Sequence, residues 1–368
     1  MLPAALSASR ATSQGYRSGC IRPNPLSTGS QSRLRPRRLP DHAGRMPSAP
    51  VDYTRTSARP AFAALPQPVR AEMARLAGAP VQAADPPVGS GFTGSYAGVL
   101  HLADGRRVFA KAGGPAMPHV ITGLCREAEV VPLLAGLRCV PTLIGAAQVD
   151  GWAMLVLEHI DGHQPGMPWT ARDADLAHAA CLEVASLPPE RLEPLHLTGL
   201  AEDVAANWGI DGAFGAFARG QRDWPHGIRR PSPEELAELA ALAGRAGTAL
   251  RGDALCHNDV RPDNLLITAD RAMLVDWNWV RASPPWFDLV GLWPQMAHDG
   301  IDLARFDDSP LLADADPEDI DCFLAVIVAY MIEDVDAPPP PGCTDALRRH
   351  QLWQADLFLD LLAARRGW

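Results

Sequence analysis

The segment from His257 to Asp276, HNDVRPDNLLITADRAMLVD, places a carboxylate, an amide and a second carboxylate at set intervals. Asp259 precedes Asn264 by five residues and Asp276 by 17. The first carboxylate can orient a hydroxyl group and accept its proton, whereas an amide oxygen and a carboxylate are ligands suited to Mg²⁺. This set is suited to phosphoryl transfer from a nucleotide, with Asp259 as base and Asn264 and Asp276 as metal ligands.

Two neighbours of Asp259 are candidates for supporting roles. Arg261 follows two residues later, where a cation can reach a transferring phosphate, and a solvated surface charge is the alternative interpretation. His257 is expected to orient the loop by hydrogen bonding rather than to titrate in the reaction. The apolar runs at 265–267 and 273–275 predict a hairpin that brings the two metal ligands together.

One lysine stands alone among the basic residues. Of the 33 lysine and arginine residues only Lys111 is a lysine, and it lies in the apolar run RRVFAKA. Phosphoryl transfer uses such a cation on the nucleotide phosphates, held there by a carboxylate. Glu127 and Glu129 lie about 200° apart on the next predicted helix, so only one of them can face the lysine. We predict that Glu127 is the partner and that Glu129 is solvated.

A glycine-rich loop ends 17 residues before the lysine. Gly89, Gly91 and Gly94 form the pattern G-x-G-x-x-G, which also occurs in dinucleotide-binding folds and is not specific alone. Here predicted strands flank the loop and no helix follows it at once, which favours a loop that covers nucleotide phosphates. Glycine lets a backbone approach phosphates without a clash at Cβ, and Ser90 adds a hydroxyl donor.

Charge is distributed unevenly along the 368 residues. The formal net charge is −10, yet residues 1–60 hold ten arginines and only two acidic residues. The rest of the chain therefore carries 41 acidic against 23 basic residues. This acidic body argues against nucleic acid as a partner, because a phosphate backbone needs a basic face. It would suit a cationic small molecule, although acidic surfaces also serve solubility alone.

The first 60 residues show no folding pattern, and the first 45 are rich in Arg, Ser and Pro. We expect residues 1–60 to be disordered. Met46 begins an ordinary leader, so a misplaced start codon is one explanation of the preceding residues. A mitochondrial targeting segment is the minority interpretation.

The cysteines and the apolar runs bear on the setting of the protein. The seven cysteines include no C-x-x-C pair, which favours a reducing, cytoplasmic environment over a disulfide framework or a zinc site. No apolar run approaches the ~18 residues of a membrane span, so no membrane partner is expected. Nothing in the pattern indicates an oligomeric state.

The predicted elements change character near residue 160. Residues 61–160 give two helices and two hairpins, and residues 161–368 are mainly helical. The first part has helices at 67–77 and 125–137 and strands at 96–102, 107–112, 143–149 and 152–158. The second part has helices at 172–186, 199–207, 233–249, 317–334 and 344–365. This order predicts an α+β chain with a small β-rich N-lobe and a larger helical C-lobe.

Taken together, these motifs make the chain resemble the aminoglycoside phosphotransferase and choline kinase-like family of the protein-kinase-like superfamily. The resemblance covers roughly residues 80–300 and implies a bilobal fold that uses Mg²⁺ with ATP or GTP as phosphoryl donor. A protein kinase is less favoured, because no A-P-E motif follows Asp276 and the chain runs promptly to Asp288, which would buttress the lobe. The resemblance also implies a set of nucleotide-binding residues. They are Gly89, Ser90, Gly91, Gly94, Lys111, Glu127, Glu158 and Ile160.

The activity implied by the resemblance is transfer of the γ-phosphate of a nucleoside triphosphate to a hydroxyl of a small molecule. An aminoglycoside-like acceptor is favoured, as in an antibiotic-resistance enzyme. A metabolic kinase for choline, homoserine or a sugar is one alternative, and a non-catalytic nucleotide-binding module is another. The intact lysine, aspartate, asparagine and aspartate set counts against the non-catalytic module.

The acceptor site is the least defined part of the prediction. An acidic cleft formed by C-terminal helices would bind a cationic acceptor, whereas clustered aspartates also arise from loop and helix-cap chemistry. The aspartates in question are Asp299, Asp302, Asp307, Asp308 and Asp314. Four tryptophans near the catalytic loop either stack against a sugar or cation or pack in the core. They are Trp277, Trp279, Trp286 and Trp293.

Overall fold

The structure is a computed structural model that describes residues 50–210 and 212–368. The first part of it contains one sheet and two helices, and the rest is mainly helical. The strands are β1 (Val81–Ala84), β2 (Tyr96–Leu102), β3 (Arg107–Gly113), β4 (Leu143–Val149), β5 (Trp152–Glu158), β6 (Ala254–Cys256), β7 (Leu265–Ile267), β8 (Ala272–Leu274) and β9 (Arg281–Ser283). The helices are α1 (Gln67–Ala77), α2 (Pro118–Leu133), α3 (Ala171–Ala185), α4 (Pro189–Leu192), α5 (Leu200–Asn207), α6 (Ala213–Ala218), α7 (Pro233–Ala243), α8 (Ala246–Ala249), α9 (Phe287–His298), α10 (Pro317–Glu333) and α11 (Ala346–Arg366).

The five strands of the first part form an antiparallel sheet in the order β1-β2-β3-β5-β4. The predicted hairpins are present, and both turn at an Asp-Gly pair in which the glycine has positive φ: 86° at Gly105 and 76° at Gly151. Strand β3 lies between β2 and β5, so Lys111 pairs with Ala97 on one side and Leu155 on the other. The lysine is therefore held on a central strand with partners on both sides.

Helix α2 packs against β3 and β5, and its bounds differ from those predicted. It begins seven residues earlier than expected, at Pro118, a residue type favoured in the first turn. Its first turns contain Val120, Ile121 and Gly123, which are poor helix formers, so packing against the sheet outweighs local propensity there. The helix ends at Leu133, directly after Pro132.

The helical part holds the larger core. Helix α10 corresponds to the helix predicted at 317–334, is largely buried, and packs against α7, α8 and α11. The predicted helix at 233–249 divides into α7 and α8 at Gly244, which weakens helix continuity. Ser232 and Glu235 form a capping box at the start of α7. Helices α4 and α6 are too short for a periodic pattern to predict.

Two short antiparallel ladders lie between the sheet and the helices. Strands β7 and β8 form the predicted hairpin, and β6 pairs with β9. The connector that leaves β5 is fixed to this region because His163 and Ile267 exchange backbone hydrogen bonds of 2.8 and 3.0 Å. The catalytic-loop segment is therefore anchored to the end of the sheet by main-chain contacts.

The segment before α1 packs against the rest of the protein. Tyr53 and Thr56 are each 1% exposed, and the Tyr53 hydroxyl contacts His350 Nδ1 at 2.9 Å. The expectation that residues 1–60 are disordered is therefore wrong for residues 50–60. Residues 1–49, including Met46, lie outside the described part of the chain.

None of the helices in the described ranges combines the length and apolar character that a membrane crossing requires.

Candidate active site

A cavity of about 510 Å³ lies between the sheet and the helices. It is lined by the tip of the glycine-rich loop, by β3 and β5, by the segment after β6, and by α9, α10 and α11. Seven of the predicted functional residues that line it are Ser90, Gly91, Lys111, Glu158, Ile160, Asp259 and Arg261. The predicted metal ligands Asn264 and Asp276 line it too.

Lys111 is bound between two carboxylates. Its Nζ lies 2.9 and 2.8 Å from the two oxygens of Glu127 and 2.7 Å from Asp276 Oδ1. Burial alone would lower the pKa of Lys111, but Asp276 and Glu127 outweigh it and raise the pKa above its usual value. The lysine is therefore a fixed cation at neutral pH. Glu129 is solvated and pairs with Arg126 at 3.2 Å, as expected.

The two predicted metal ligands are joined through the backbone. The Val275 amide donates to the Asn264 carbonyl at 3.0 Å, so Asp276 follows a residue fixed to Asn264. Burial would raise the pKa of Asp276, but the Lys111 ammonium holds it below its usual value. Asp276 has φ of 74°, a backbone conformation that turns its side chain out of the strand path.

The donor set fits a magnesium ion that shares its coordination with phosphates. The hydrogen bonds of the Asn264 side chain run through Nδ2, which leaves the amide oxygen to accept a cation. Within the described residues, no group of three or more His, Cys, Asp or Glu side chains is placed to hold a metal. Asn264 and Asp276 would therefore supply two oxygens, and the rest would come from phosphates and water, as is usual for Mg²⁺.

Asp259 is held by two side chains. Asn264 Nδ2 donates to its Oδ2 at 3.0 Å, and the Arg261 guanidinium contacts its Oδ1. Burial raises the pKa of Asp259 to about 6, with Asp263 and Asp276 adding to the rise and Arg261 opposing it. A carboxylate with such a pKa is mostly ionised at neutral pH and is still basic enough to accept a proton.

Arg261 is shared between two aspartates rather than exposed as a surface charge. It donates to Asp263 through Nε at 2.9 Å and Nη2 at 3.1 Å, in addition to its contact with Asp259. Its guanidinium also lies 5.3 Å from the centre of the Phe92 ring at the tip of the glycine-rich loop. Arg261 therefore joins the catalytic loop to the loop above it.

A buried carboxylate braces the start of the catalytic loop. Asp288 accepts the backbone amides of His257 at 2.7 Å and Asn258 at 3.0 Å, and burial raises its pKa to about 7. His257 Nε2 contacts the Val275 carbonyl at 3.0 Å, and burial lowers the pKa of His257 to about 4. His257 is neutral at pH 7 and orients the loop, which is the arrangement predicted for it.

The glycine-rich loop is backed by residues 54–59. A Cβ at Gly89 would lie 2.1 Å from the Thr54 carbonyl oxygen, and one at Gly91, where φ is +79°, would lie 2.6 Å from the Arg59 guanidinium. Gly94 donates its amide to Gly342 at 2.7 Å. Gly89 and Gly94 do not line the cavity. At Gly89 and Gly94 other backbone lies close to the position of a Cβ, which favours glycine there. The sequence had explained these glycines by close approach to phosphates.

Glu158 and Ile160 lie at the edge of the cavity, where β5 ends. Glu158 Oε1 accepts the Thr142 amide at 2.9 Å, and the Glu158 amide donates to the Thr142 carbonyl at 3.0 Å. The side chain of Glu158 is thus used to fix the strand end. Residues 158–160 form this edge of the cavity.

The aspartate cluster takes no part in the cavity. None of its five carboxylates lines it. Asp299 accepts the Trp169 amide at 2.8 Å, and Asp302 caps a short turn by accepting the Ala304 amide at 3.1 Å. This is the loop and cap chemistry that the sequence left as one of two interpretations.

Three of the four tryptophans belong to the core. Trp277, Trp286 and Trp293 are at most 4% exposed, and Trp277 Nε1 donates to the Leu274 carbonyl at 2.8 Å. Trp279 lines the cavity. The sequence did not single out other cavity residues, among them Arg59, Phe92, Asp263 and Asn278. Position next to a recognised motif was the only signal for Asp263 and Asn278.

A profile of the phosphotransferase enzyme family (APH) matches residues 99–319, which is more than half of the chain and includes Lys111 and the whole catalytic loop. The chain belongs to this family. A search of curated protein sequences found no match.

Solved structures of phosphotransferases share the fold of this APH family member. A thermostable mutant of aminoglycoside phosphotransferase APH(4)-Ia, in ternary complex with AMP-PNP and hygromycin B, is 12% identical with a TM-score of 0.56. The match covers 82% of this chain and 100% of that one. Macrolide 2'-phosphotransferase type I is 16% identical with a TM-score of 0.51, over 77% of this chain and 95% of that one. The predicted bilobal protein-kinase-like α+β fold is thereby confirmed.

Proposed function

We propose that the protein is a Mg²⁺-dependent O-phosphotransferase that moves the γ-phosphate of a nucleoside triphosphate to a hydroxyl group of a small molecule. Membership of the phosphotransferase family supports a small-molecule kinase. The observation that carries the proposal is the convergence of Lys111, Asp259 and Asp276 on one cavity with Asn264 beside them. The nucleotide-binding N-lobe at 61–160 and the catalytic C-lobe at 161–368 are part of the same proposal.

Each side chain has a role that its contacts support. Lys111, held by Glu127, would bind the nucleotide phosphates. Asn264 and Asp276 would hold Mg²⁺, which supplies charge neutralisation on the phosphates. Gly91 and Ser90 at the loop tip would cover the phosphates, and the strand end from Glu158 to Ile160 would face the base.

Asp259 would position the acceptor hydroxyl and accept its proton. The bond from the γ-phosphorus to the bridging oxygen breaks as the acceptor oxygen bonds to phosphorus, and a nucleoside diphosphate leaves. Because the transition state is loose, the proton moves late, so orientation by Asp259 matters more than its basicity. Arg261, already in contact with Asp259, would stabilise charge on the phosphoryl group.

The test is product formation by the wild type and by Asp259→Asn, measured by ³¹P NMR with ATP or GTP and a panel of aminoglycosides, choline, homoserine, sugars and apolar alcohols. Asp259→Asn should lower kcat by about 10²- to 10⁴-fold and leave nucleotide affinity unchanged. Asp270→Asn, a change to an exposed turn residue, is the matched control and should behave as wild type. Wild-type turnover by Asp259→Asn would refute the mechanism. Nucleotide binding without turnover on any acceptor would favour the non-catalytic module.

A further inference from the structure

Beyond the catalytic loop the cavity extends between α9, α10 and α11, and its walls there are apolar. The side chains that form these walls are Phe287, Phe323, Ile327, Tyr330, Met331 and Phe358. The negative charge of Asp259 adds to burial in raising the pKa of Tyr330 to about 12, so this wall lies within electrostatic range of the catalytic loop. An acceptor whose hydroxyl reaches Asp259 would therefore place its body among these side chains.

The carboxylates of the cavity are already engaged. Asp259 and Asp263 share Arg261, and Asp276 is bound by Lys111. Of the remaining two, Glu158 accepts a backbone amide of the strand end, and Asp288 accepts two amides of the catalytic loop. Among the described residues, helices α9–α11 contribute only Asp288 as a carboxylate to the lining.

The polar groups that helices α9 and α11 add to the cavity are uncharged at neutral pH, apart from Asp288. They include three glutamine amides and the imidazole of His350. Burial lowers the pKa of His350 well below its usual value, and the charge of Arg261 lowers it further. A polycation entering this space would bury ammonium groups without a free counter-charge, which is strongly unfavourable.

One of these amides has an unused acceptor. Gln295 is 3% exposed and its Nε2 lies 3.5 Å from the Tyr53 hydroxyl. Its Oε1 is buried and has no hydrogen-bond partner among the described residues. Since a buried polar atom of this kind is costly unless it is paired, it indicates a ligand with a hydrogen-bond donor such as a hydroxyl.

We infer that the acceptor of this enzyme is an uncharged and largely apolar alcohol, with one hydroxyl at Asp259, its hydrocarbon body between α9, α10 and α11, and a hydrogen bond to Gln295 Oε1. The inference rests on the proposed phosphotransferase function, because it identifies the chemical class of substrate for that reaction. It differs from the aminoglycoside-like acceptor that the sequence resemblance favours.

The test is calorimetric titration of the full chain, with Mg²⁺ and ADP present, using n-alkyl β-glucosides from methyl to octyl below their micelle concentrations. Hygromycin B and choline serve as polycationic and monocationic probes. In wild type the Kd of the glucosides should fall about two- to fourfold for each added methylene. Met331→Glu, which places a carboxylate in the apolar wall, should weaken octyl glucoside binding by about tenfold or more.

Val335→Glu is the matched control, because it also introduces a glutamate, four residues later, at a partly buried position outside the cavity. It should bind the glucosides as wild type does. A Kd that does not depend on the length of the alkyl chain would overturn the inference. Equal losses of octyl glucoside affinity in Met331→Glu and Val335→Glu would also overturn it. So would tighter binding of hygromycin B or choline than of octyl glucoside. A separate titration of ADP into nucleotide-free samples of the same proteins distinguishes these results from a failure of the proposed function, which would show as absent nucleotide binding.

Discussion

The nucleotide end and the acceptor end of the cavity are built from opposite kinds of side chain. At the nucleotide end a buried lysine contacts two carboxylates, and each charge is fixed by another. At the acceptor end aromatic and aliphatic side chains of α9, α10 and α11 form the walls, with uncharged amides between them. Under the proposed function, charged side chains would bind the phosphates, and the acceptor would be selected by apolar contact and by shape.

Asp259 and Arg261 lie at the boundary between these ends. They contact each other, and Arg261 also packs under Phe92 of the glycine-rich loop. Phe92 in turn lies 4.8 Å, between ring centres, from His350 of α11. Under the proposed function, the transferring phosphate would pass from the charged end to the apolar end beside Asp259 and Arg261.

A large effect confined to the nucleotide end is expected from Lys111→Met. Loss of a charged hydrogen-bonding group at the phosphates should weaken nucleotide binding by about 10- to 100-fold. Alkyl glucoside affinity should stay at the wild-type value. Titration of both ligands checks this, with Arg107→Met on the same strand as the matched control. An equal loss of affinity for the nucleotide and for the glucoside would show that the two ends are not independent.

A smaller effect is expected from pH. The pKa of Asp259 is raised to about 6, so its carboxylate is ionised above that pH and protonated below it. The rate kcat should therefore rise with pH and level off near neutrality, falling about tenfold for each pH unit below 6. The residual kcat of Asp259→Asn should not show this fall below pH 6. If kcat of that variant still fell below pH 6, the titrating group would be another residue.

The sequence predicted which residues lie together at the charged end, because these residues lie in short motifs. Asp259, Asn264 and Asp276 are separated by fixed spacings that a loop and a hairpin impose, and Lys111 was distinguished by being the only lysine. The sheet, its two Asp-Gly turns and most long helices also follow local patterns. These features depend on neighbours along the chain.

The apolar end could not be predicted in this way. Its walls come from helices that are distant in sequence, such as Phe287 on α9 and Phe358 on α11, and each residue alone has the pattern of an ordinary core position. The aspartates near residue 300 left two interpretations open, a cation site or loop and cap chemistry, and the carboxylates of Asp299 and Asp302 accept backbone amides. The packing of residues 50–60 was also missed, since short segments without periodicity give no signal.

A modest effect at the nucleotide end is expected from Arg59→Ala. Arg59 donates to the carbonyl groups of Ser90 and Ser95, each at 2.6 Å, and so fixes the glycine-rich loop. Its loss should raise the KM for nucleotide by about three- to tenfold without changing glucoside binding. A chain that begins at Met46 retains Arg59, and we expect it to match the full chain in steady-state kinetics. A change in kcat alone for Arg59→Ala would contradict a role in nucleotide binding.

The smallest effect is expected from neutralising the aspartate cluster. In the double variant Asp302→Asn and Asp308→Asn, asparagine at 302 keeps the cap and both changes are exposed. The KM for any acceptor found in the panel should stay within about twofold of wild type, as is usual for surface substitutions. A larger rise in KM for a cationic acceptor would restore the acidic-cleft interpretation.

The most direct test of the division between the two ends is the Kd of Mg²⁺–nucleotide for wild type, Asp276→Ala and Met331→Glu. Asp276 is the predicted metal ligand and the partner of Lys111, whereas Met331 lies in the apolar wall. We predict that wild type and Met331→Glu bind with Kd values within about twofold of each other, and that Asp276→Ala loses binding by about 100-fold or more. Equal binding by wild type and Asp276→Ala, or loss of nucleotide binding in Met331→Glu, would contradict the account.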